Sequence, residues 1–263
     1  DVTATVDCIP LIASSIMSKK LASGADAICL DVKVGHGALM KTEEEAEKLA
    51  KLMVEIGKLA GKKVTAILTG MDEPLGHKIG NALEVYEAIE TLQGKGPKDL
   101  VEVTLTIGEQ LLLDANLAKD QKEARSMLEK ALNDGSAYQK FLELVKAQGG
   151  DVEKLKHPEQ LLATKTIEVL VPKDGYIKEM NALDIGKAAM RLGAGRETKE
   201  DQILLDVGID LHKKIGDQVH KGDVLATLYV RDKGIEEAKS LLLNAITIGE
   251  EKTEITLIKK KIS

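Results

Sequence analysis

The apolar positions of the first seventy residues change period three times, and each change marks an element. Residues 9–21 set Leu11, Ile12, Ile16 and Met17 at helical spacing behind Pro10, and proline suits a helix N-terminus because its missing N–H costs nothing there. That helix carries Ser15 and Lys19 one turn apart on a single face. Ser23-Gly24 stops it, and residues 27–30, Ala-Ile-Cys-Leu, form a short apolar run of the kind expected for a parallel strand covered on both sides. Thr42 followed by Glu43, Glu44 and Glu45 opens a second helix, with a side-chain cap and acids at the positive end of the dipole. It runs to residue 59, stops at Gly61 and leads into a second buried strand over residues 64–69. Strand, helix and strand in this order predict a parallel pair joined by a crossover helix, within a sheet flanked by helices.

In such sheets ligands bind at the C-terminal ends of the strands. Two loops lie there: the segment bearing Asp31, Lys33, Gly35 and Gly37, and the segment 70–77, Gly-Met-Asp-Glu-Pro-Leu-Gly-His. A helix over 81–92 follows, with Leu83 and Ile89 on its apolar side and Glu84, Glu87 and Glu90 along it; from spacing alone Glu87 reads as a solvated helix acid. Residues 99–113 predict an apolar helix, and residues 120–135 and 138–148 two amphipathic ones, the first of these with Ala124, Met127, Leu128 and Ala131 at helical spacing; the charges of the amphipathic pair read as mainly solvated faces. From Thr166 short β-branched runs alternate with turn signals, which marks a β-rich segment. Within it, residues 219–229 place a Lys221-Gly222-Asp223 turn between alternating strands, as in the half-barrels of biotinyl and lipoyl carriers. Those carriers show a modifiable lysine at a hairpin tip, where Met180-Asn181 offers none, so Lys221 is a turn lysine and the carrier module is the weaker alternative.

Composition narrows the function class. The 263 residues carry a net charge of −6, one Phe, four Tyr and no Trp, which disfavours a single-strand nucleic-acid binder and leaves no basic stripe for a duplex. No apolar run approaches the roughly 20 residues of a membrane span and no signal peptide is visible, so a cytoplasmic location is expected. Cys8 and Cys29 form no C-x-x-C pair and read as buried free thiols. The five histidines, at 36, 77, 157, 212 and 220, are too scattered for a local zinc pair.

Four stretches carry a resemblance to a known family. DVTATVDCIPLIASSIMSKK, GADAICLDVKVGHGALMKT, GMDEPLGHKIGNALEVYEAIETLQGKGPKDL and LGAGRETKEDQILLDVGIDLHKKIGDQVHKGDVLATLY stand in the right order over nearly the whole chain. Together they resemble the pyrimidine nucleoside phosphorylase and thymidine phosphorylase family. The resemblance implies an α/β fold: residues 1–24 as the remnant of a helical domain, 25–165 as an α/β phosphorylase domain, and 166–263 as an α+β, barrel-sandwich-like C-terminal subdomain. The family's substantial helical segment, its glycine-, serine- and lysine-bearing phosphate region and the arginine it places before the residue that is Asp1 here have no counterpart in the sequence. The chain is therefore expected to be the C-terminal part of a longer protein, with little or no activity alone.

The activity implied is that of a pentosyltransferase in nucleoside salvage, which cleaves uridine, thymidine or deoxyuridine with phosphate to the free base and a pentose 1-phosphate. Strict thymidine phosphorylase and a non-catalytic carrier or scaffold are the alternatives. By the same resemblance Ser15 and Lys19 grip the pyrimidine and stabilise the charge it gathers, and Leu39 takes the place of a phenylalanine that packs on the base. The resemblance also implies that the Leu75 and Lys78 carbonyls and the Glu87 carboxylate hold a potassium ion together with groups from the family's upstream segment. No organic cofactor is implied, phosphate is the co-substrate, and the full-length form is expected to be a homodimer. His36 sits in the Gly35–Gly37 loop where a proton donor or sugar contact is conceivable, but the family carries a small hydroxyl residue or glycine there, which favours a permissive loop position.

Overall fold

A computed structural model of the protein describes residues 8–263. Residues 1–7, which begin the first family stretch, lie outside the described residues. In chain order the elements begin with α1 (Ile9–Ala22), β1 (Ala27–Val34), α2 (Glu43–Leu59), β2 (Lys63–Gly70), β3 (Lys78–Ile79), α3 (Asn81–Leu92), α4 (Lys98–Asp114), α5 (Gln121–Asn133) and α6 (Ser136–Ala147). They continue with β4 (Lys165–Leu170), β5 (Gly175–Met180), α7 (Ala182–Leu192), β6 (Gly208–Leu211), β7 (Gln218–Val219), β8 (Val224–Val230), α8 (Ile235–Asn244), β9 (Ile246–Gly249) and β10 (Ile258–Ile262). The chain divides into two compact units, one formed by Asp1–Met71, Glu102–Lys130 and Thr256–Ser263, the other by Asp72–Val101 and Ala131–Ile255.

The first unit is built on the order β1-β2-β10. β1 and β2 run parallel, from Ala27 opposite Lys63 to Val34 opposite Gly70, and β10 adds antiparallel to β2. Alternation along β1 sends Ile28, Leu30, Val32 and Val34 into one core with Met17 of α1 and Leu49, Met53 and Val54 of α2. The other face of β1 holds Cys29, Asp31 and Lys33, none of them buried. Thr42 and Glu45 close a reciprocal capping box at the start of α2, which satisfies two of the helix's orphan N–H groups. α2 lies so close to β2 that a Cβ on Gly57 would stand 2.0 Å from Val64 Cγ2; only glycine admits that approach.

The second unit carries two antiparallel sheets, β3-β6-β8-β4 and β7-β5-β9. Ile177, Ile185, Leu192, Ile209, Leu211, Leu225 and Leu228, each at most 1% exposed, form its core together with residues of α7 and α8, which pack side by side. The Lys221-Gly222-Asp223 turn joins β7 in one sheet to β8 in the other, so it closes a sandwich edge and not a hairpin. Asn181, at the position where a carrier would display its lysine, caps α7 by accepting from the Asp184 N–H. Among the described residues no helix is long and apolar enough to cross a membrane.

Candidate active site

Two groups of polar residues stand out, one in each unit. In the first, α1 presents Ser15 and Lys19 on its exposed face, and the Lys19 ammonium donates to the Ser15 hydroxyl at 3.4 Å. Burying Ala13 and Met17 against the core turns these two residues outward. A hydroxyl and an ammonium one turn apart give a donor pair with spare hydrogen-bonding capacity.

At the C-terminal end of the parallel pair the backbone is tied into a tight loop. Gly35 N–H donates to the Met40 carbonyl, Gly37 N–H to the Met71 carbonyl, and the Lys41 ammonium spans the His36 and Ala38 carbonyls at 3.0 and 2.7 Å. Leu39 rides on this loop at 62% exposure. Beneath the loop lies a network that sequence reasoning missed. The fully buried Thr69 hydroxyl donates to Asp31 at 2.6 Å and accepts from Lys33 at 2.9 Å, while Lys33 and Asp31 pair at 2.7 Å. The signal was present: Asp31 and Lys33 share the face opposite the apolar positions, and β1 runs on through both charges to Val34.

In the second unit the loop before α3 closes over a carboxylate. Glu87 is 4% exposed, so it is not a solvated helix acid. Its Oε1 accepts from the backbone N–H groups of His77 and Lys78 at 2.8 and 3.2 Å. Burial pushes the Glu87 carboxyl above the usual carboxylate range, against the pull of these two N–H groups and of Lys78. The Lys78 ammonium itself pairs with Asp210 at 3.3 Å and Glu90 at 3.6 Å and stands 5.3 Å from the Tyr86 ring centre. Gly76 has φ +74° and lies against this carboxylate, where a Cβ would meet Glu87 Oε2 at 2.1 Å. His77 Nδ1 is buried in the same loop with no hydrogen-bond partner among the described residues.

The loop is pinned from below by Lys214, only 13% exposed, which donates to the Pro74 carbonyl, to the Gly76 carbonyl at 2.8 Å and to Asp99 at 3.0 Å, with Glu73 at 3.4 Å. The two acids respond in opposite senses. Burial raises Glu73 despite the ammonium. Burial also opposes ionisation of Asp99, but Lys214 and the Gly76 and Leu100 N–H groups outweigh it and lower that carboxyl. Sequence spacing gave no sign of Lys214.

Other expectations need correction. Cys8 is exposed and Cys29 half-buried, so the thiols are not both interior; burial, then the charges of Asp114 and Asp31, push the Cys29 thiol up to about 11 and keep it protonated. The charges of α5 and α6 are mainly solvated, as expected, whereas α4 buries two acids. Glu109 and Asp114 are buried, the first paired with Arg125, the second with Lys63 at 3.1 Å and held by Gln110 and Thr65. Among the described residues no group of three or more His, Cys, Asp or Glu side chains converges as a metal site.

Comparison with known proteins now gives these groups a setting. Residues 1–138 match the family model described as the glycosyl transferase family, a/b domain, and residues 176–249 match the pyrimidine nucleoside phosphorylase C-terminal domain. Pyrimidine-nucleoside phosphorylases of Staphylococcus aureus strains USA300 and MSSA476 are each 52% identical over 264 and 263 residues, which is 100% of this chain and 61% of theirs. The chain thus spans about three fifths of the length of the curated relatives it matches. With one family model covering more than half of the sequence, another covering its β-rich segment, and whole-chain similarity to these relatives, the chain belongs to the pyrimidine-nucleoside phosphorylase family of glycosyl transferases.

Proposed function

We propose that this chain supplies the base-binding half of a pentosyltransferase site that cleaves uridine, thymidine and deoxyuridine with inorganic phosphate in nucleoside salvage. The observation that carries this is the Ser15–Lys19 donor pair, exposed on α1 in a chain of this family. In phosphorolysis the bond between C1′ and the pyrimidine nitrogen breaks, its electron pair leaves with the base, and a phosphate oxygen bonds to C1′. The sugar passes through an oxocarbenium-like state while the base gathers negative charge. Lys19 lowers this barrier by placing its ammonium where that charge develops, and Ser15 fixes the edge of the ring. Leu39 forms an aliphatic wall of the base pocket.

Potassium is the ion the second group suits. The Leu75 and Lys78 carbonyls and the Glu87 carboxylate are the hard oxygen donors such a cation takes. The burial of Glu87, which a nearby cation would offset, and the cradle that a Cβ on Gly76 would fill support this assignment. When bound, the ion supplies a positive charge that offsets the burial of Glu87. The working protein is a cytoplasmic homodimer without an organic cofactor. The 263 residues alone turn over little, since the family's phosphate-binding segment has no counterpart in this sequence.

The test is release of uracil or thymine from the three nucleosides, with and without phosphate, by a protein carrying this chain joined to that segment. Lys19→Ala should lower kcat/KM by about 10²–10³-fold, the loss typical of removing one donor to a developing anion, with its melting temperature unchanged. Phosphate-independent release, or an equally active Lys19→Ala, overturns the assignment; turnover by the 263 residues comparable to an intact homologue overturns the statement about the chain alone.

A further inference from the structure

We propose that Lys214 is a positioning residue: its ammonium acts as a built-in cation that fixes the shape of the loop between β2 and β3 and so sets the backbone N–H groups that hold Glu87. The geometry is that of a small coordination sphere. Pro74 O, Gly76 O and Asp99 Oδ2 accept from one ammonium, which uses all three of its donors. Glu73 Oε1 stands at 3.4 Å as a fourth oxygen, and the neighbouring Ile215 N–H donates to Glu73 Oε2 at 2.7 Å. Residues 214 and 215 thus grip three positions of one loop, at 73, 74 and 76, from the turn between β6 and β7.

The grip passes to Glu87 through short covalent links. Gly76, whose carbonyl accepts from Lys214, donates its N–H to Asp99, and the next two N–H groups, of His77 and Lys78, are the donors to Glu87 Oε1. Asp99 therefore receives Lys214 and Gly76 on the same oxygen, and the loop cannot move without breaking several bonds at once. Electrostatics gives the arrangement its sign. Glu73, Asp99 and Glu87 place three carboxyl groups around one loop. Lys214 is the ammonium paired with two of them. An ammonium, unlike a guanidinium, is a compact point charge that fits a four-oxygen pocket. Lys214 lies within the C-terminal family domain, residues 176–249, and the inference gives that domain a task beyond packing. Only the link to cation binding rests on the potassium assignment above.

The test is amide hydrogen exchange on the full chain, comparing the loop amides of Gly76, His77 and Lys78 with those of β8, residues Val224–Val230. Lys214→Met should speed exchange of the three loop amides at least tenfold and leave β8 within twofold. Lys214→Arg, which keeps the charge and loses the compact fit, should fall between. Loop amides that exchange as in the wild type, or loop and β8 amides that accelerate together, overturn the proposal. If the methionine variant does not fold, the arginine variant decides by the same two comparisons. A second readout is the KCl midpoint of thermal stabilisation against choline chloride, which should rise at least fivefold in Lys214→Met. A wild-type protein that gains nothing from KCl overturns the potassium assignment, while the exchange data still decide the role of Lys214.

Discussion

The face of α1 that carries Ser15 and Lys19 and the loop that encloses Glu87 solve opposite problems with the same residue types. Lys19 is exposed and, among the described residues, makes one long hydrogen bond, to Ser15. Lys214 is nearly buried and has spent every donor inside the fold. A lysine that must meet a ligand keeps capacity in reserve, and one that shapes backbone keeps none. The carboxylates follow the same division. Asp31 stands in a half-exposed network with Lys33 and Thr69, whereas Glu87 accepts two backbone N–H groups in the interior. Exposed groups are cheap to change in stability and costly in function; for buried ones both costs arrive together.

Gly76→Ala should break this comparison hardest. The alanine methyl must take φ +74° and meet Glu87 Oε2 at 2.1 Å, so we expect a loss of about 2–4 kcal/mol and a melting temperature lower by about 2–4 °C per kcal/mol. Gly61→Ala is the control, because its φ of +69° is similar but a Cβ there meets nothing within 4 Å; it should cost only about 1–2 kcal/mol, the backbone term. Equal losses for the two variants would show that the Glu87 carboxylate moves aside freely.

How much of this was legible in the sequence divides along the same line. The helix over 81–92 was placed to the residue, and α2 ended at Leu59 as expected, because Thr42, Glu45 and Gly61 are local signals acting within one turn. The Ser15–Lys19 pair was legible because a helix fixes the geometry of residues four apart. β1 was cut short at Leu30, since charges at 31 and 33 resemble a loop, while in the fold they occupy one face of a strand and satisfy each other through Thr69. Glu87 had a usable signal: Leu83, Glu87 and Thr91 recur every four residues and are all buried, which puts the carboxylate in line with the apolar stripe. Lys214 had none, because its partners lie 115 to 140 residues away and no periodicity encodes a contact across such a distance. The same holds for β10, whose Ile-Lys-Lys-Lys-Ile pattern does not announce that it returns to pair with β2.

Glu87→Gln tests the buried side more finely, through pH. Burial raises the folded pKa of Glu87 above its ordinary value of 4.5, so its contribution to stability is fully present below that value and is lost as pH rises through the folded pKa. Glutamine carries no such dependence, and Glu73, which shifts in the same direction, remains in both proteins. The melting temperature of Glu87→Gln relative to wild type should therefore climb between pH 4 and pH 8 in potassium-free buffer. A flat difference would mean that the His77 and Lys78 N–H groups stabilise the carboxylate enough to cancel its burial.

Leu39→Phe is the smallest change and the cleanest probe of the exposed side. At 62% exposure the leucine contributes little packing, so the substitution should leave stability within about 0.5 kcal/mol. Its effect belongs to the substrate, since a flat ring can stack on a pyrimidine as an aliphatic wall cannot, and such contacts are worth about 0.5–1.5 kcal/mol beyond the area they bury. KM for uridine and thymidine should fall by about two- to tenfold with kcat nearly unchanged, the signature of binding gained equally in ground and transition states. A melting temperature that shifts while KM does not would place Leu39 with the packed residues of the loop, beside Ala38 and Met40, and remove it from the base pocket.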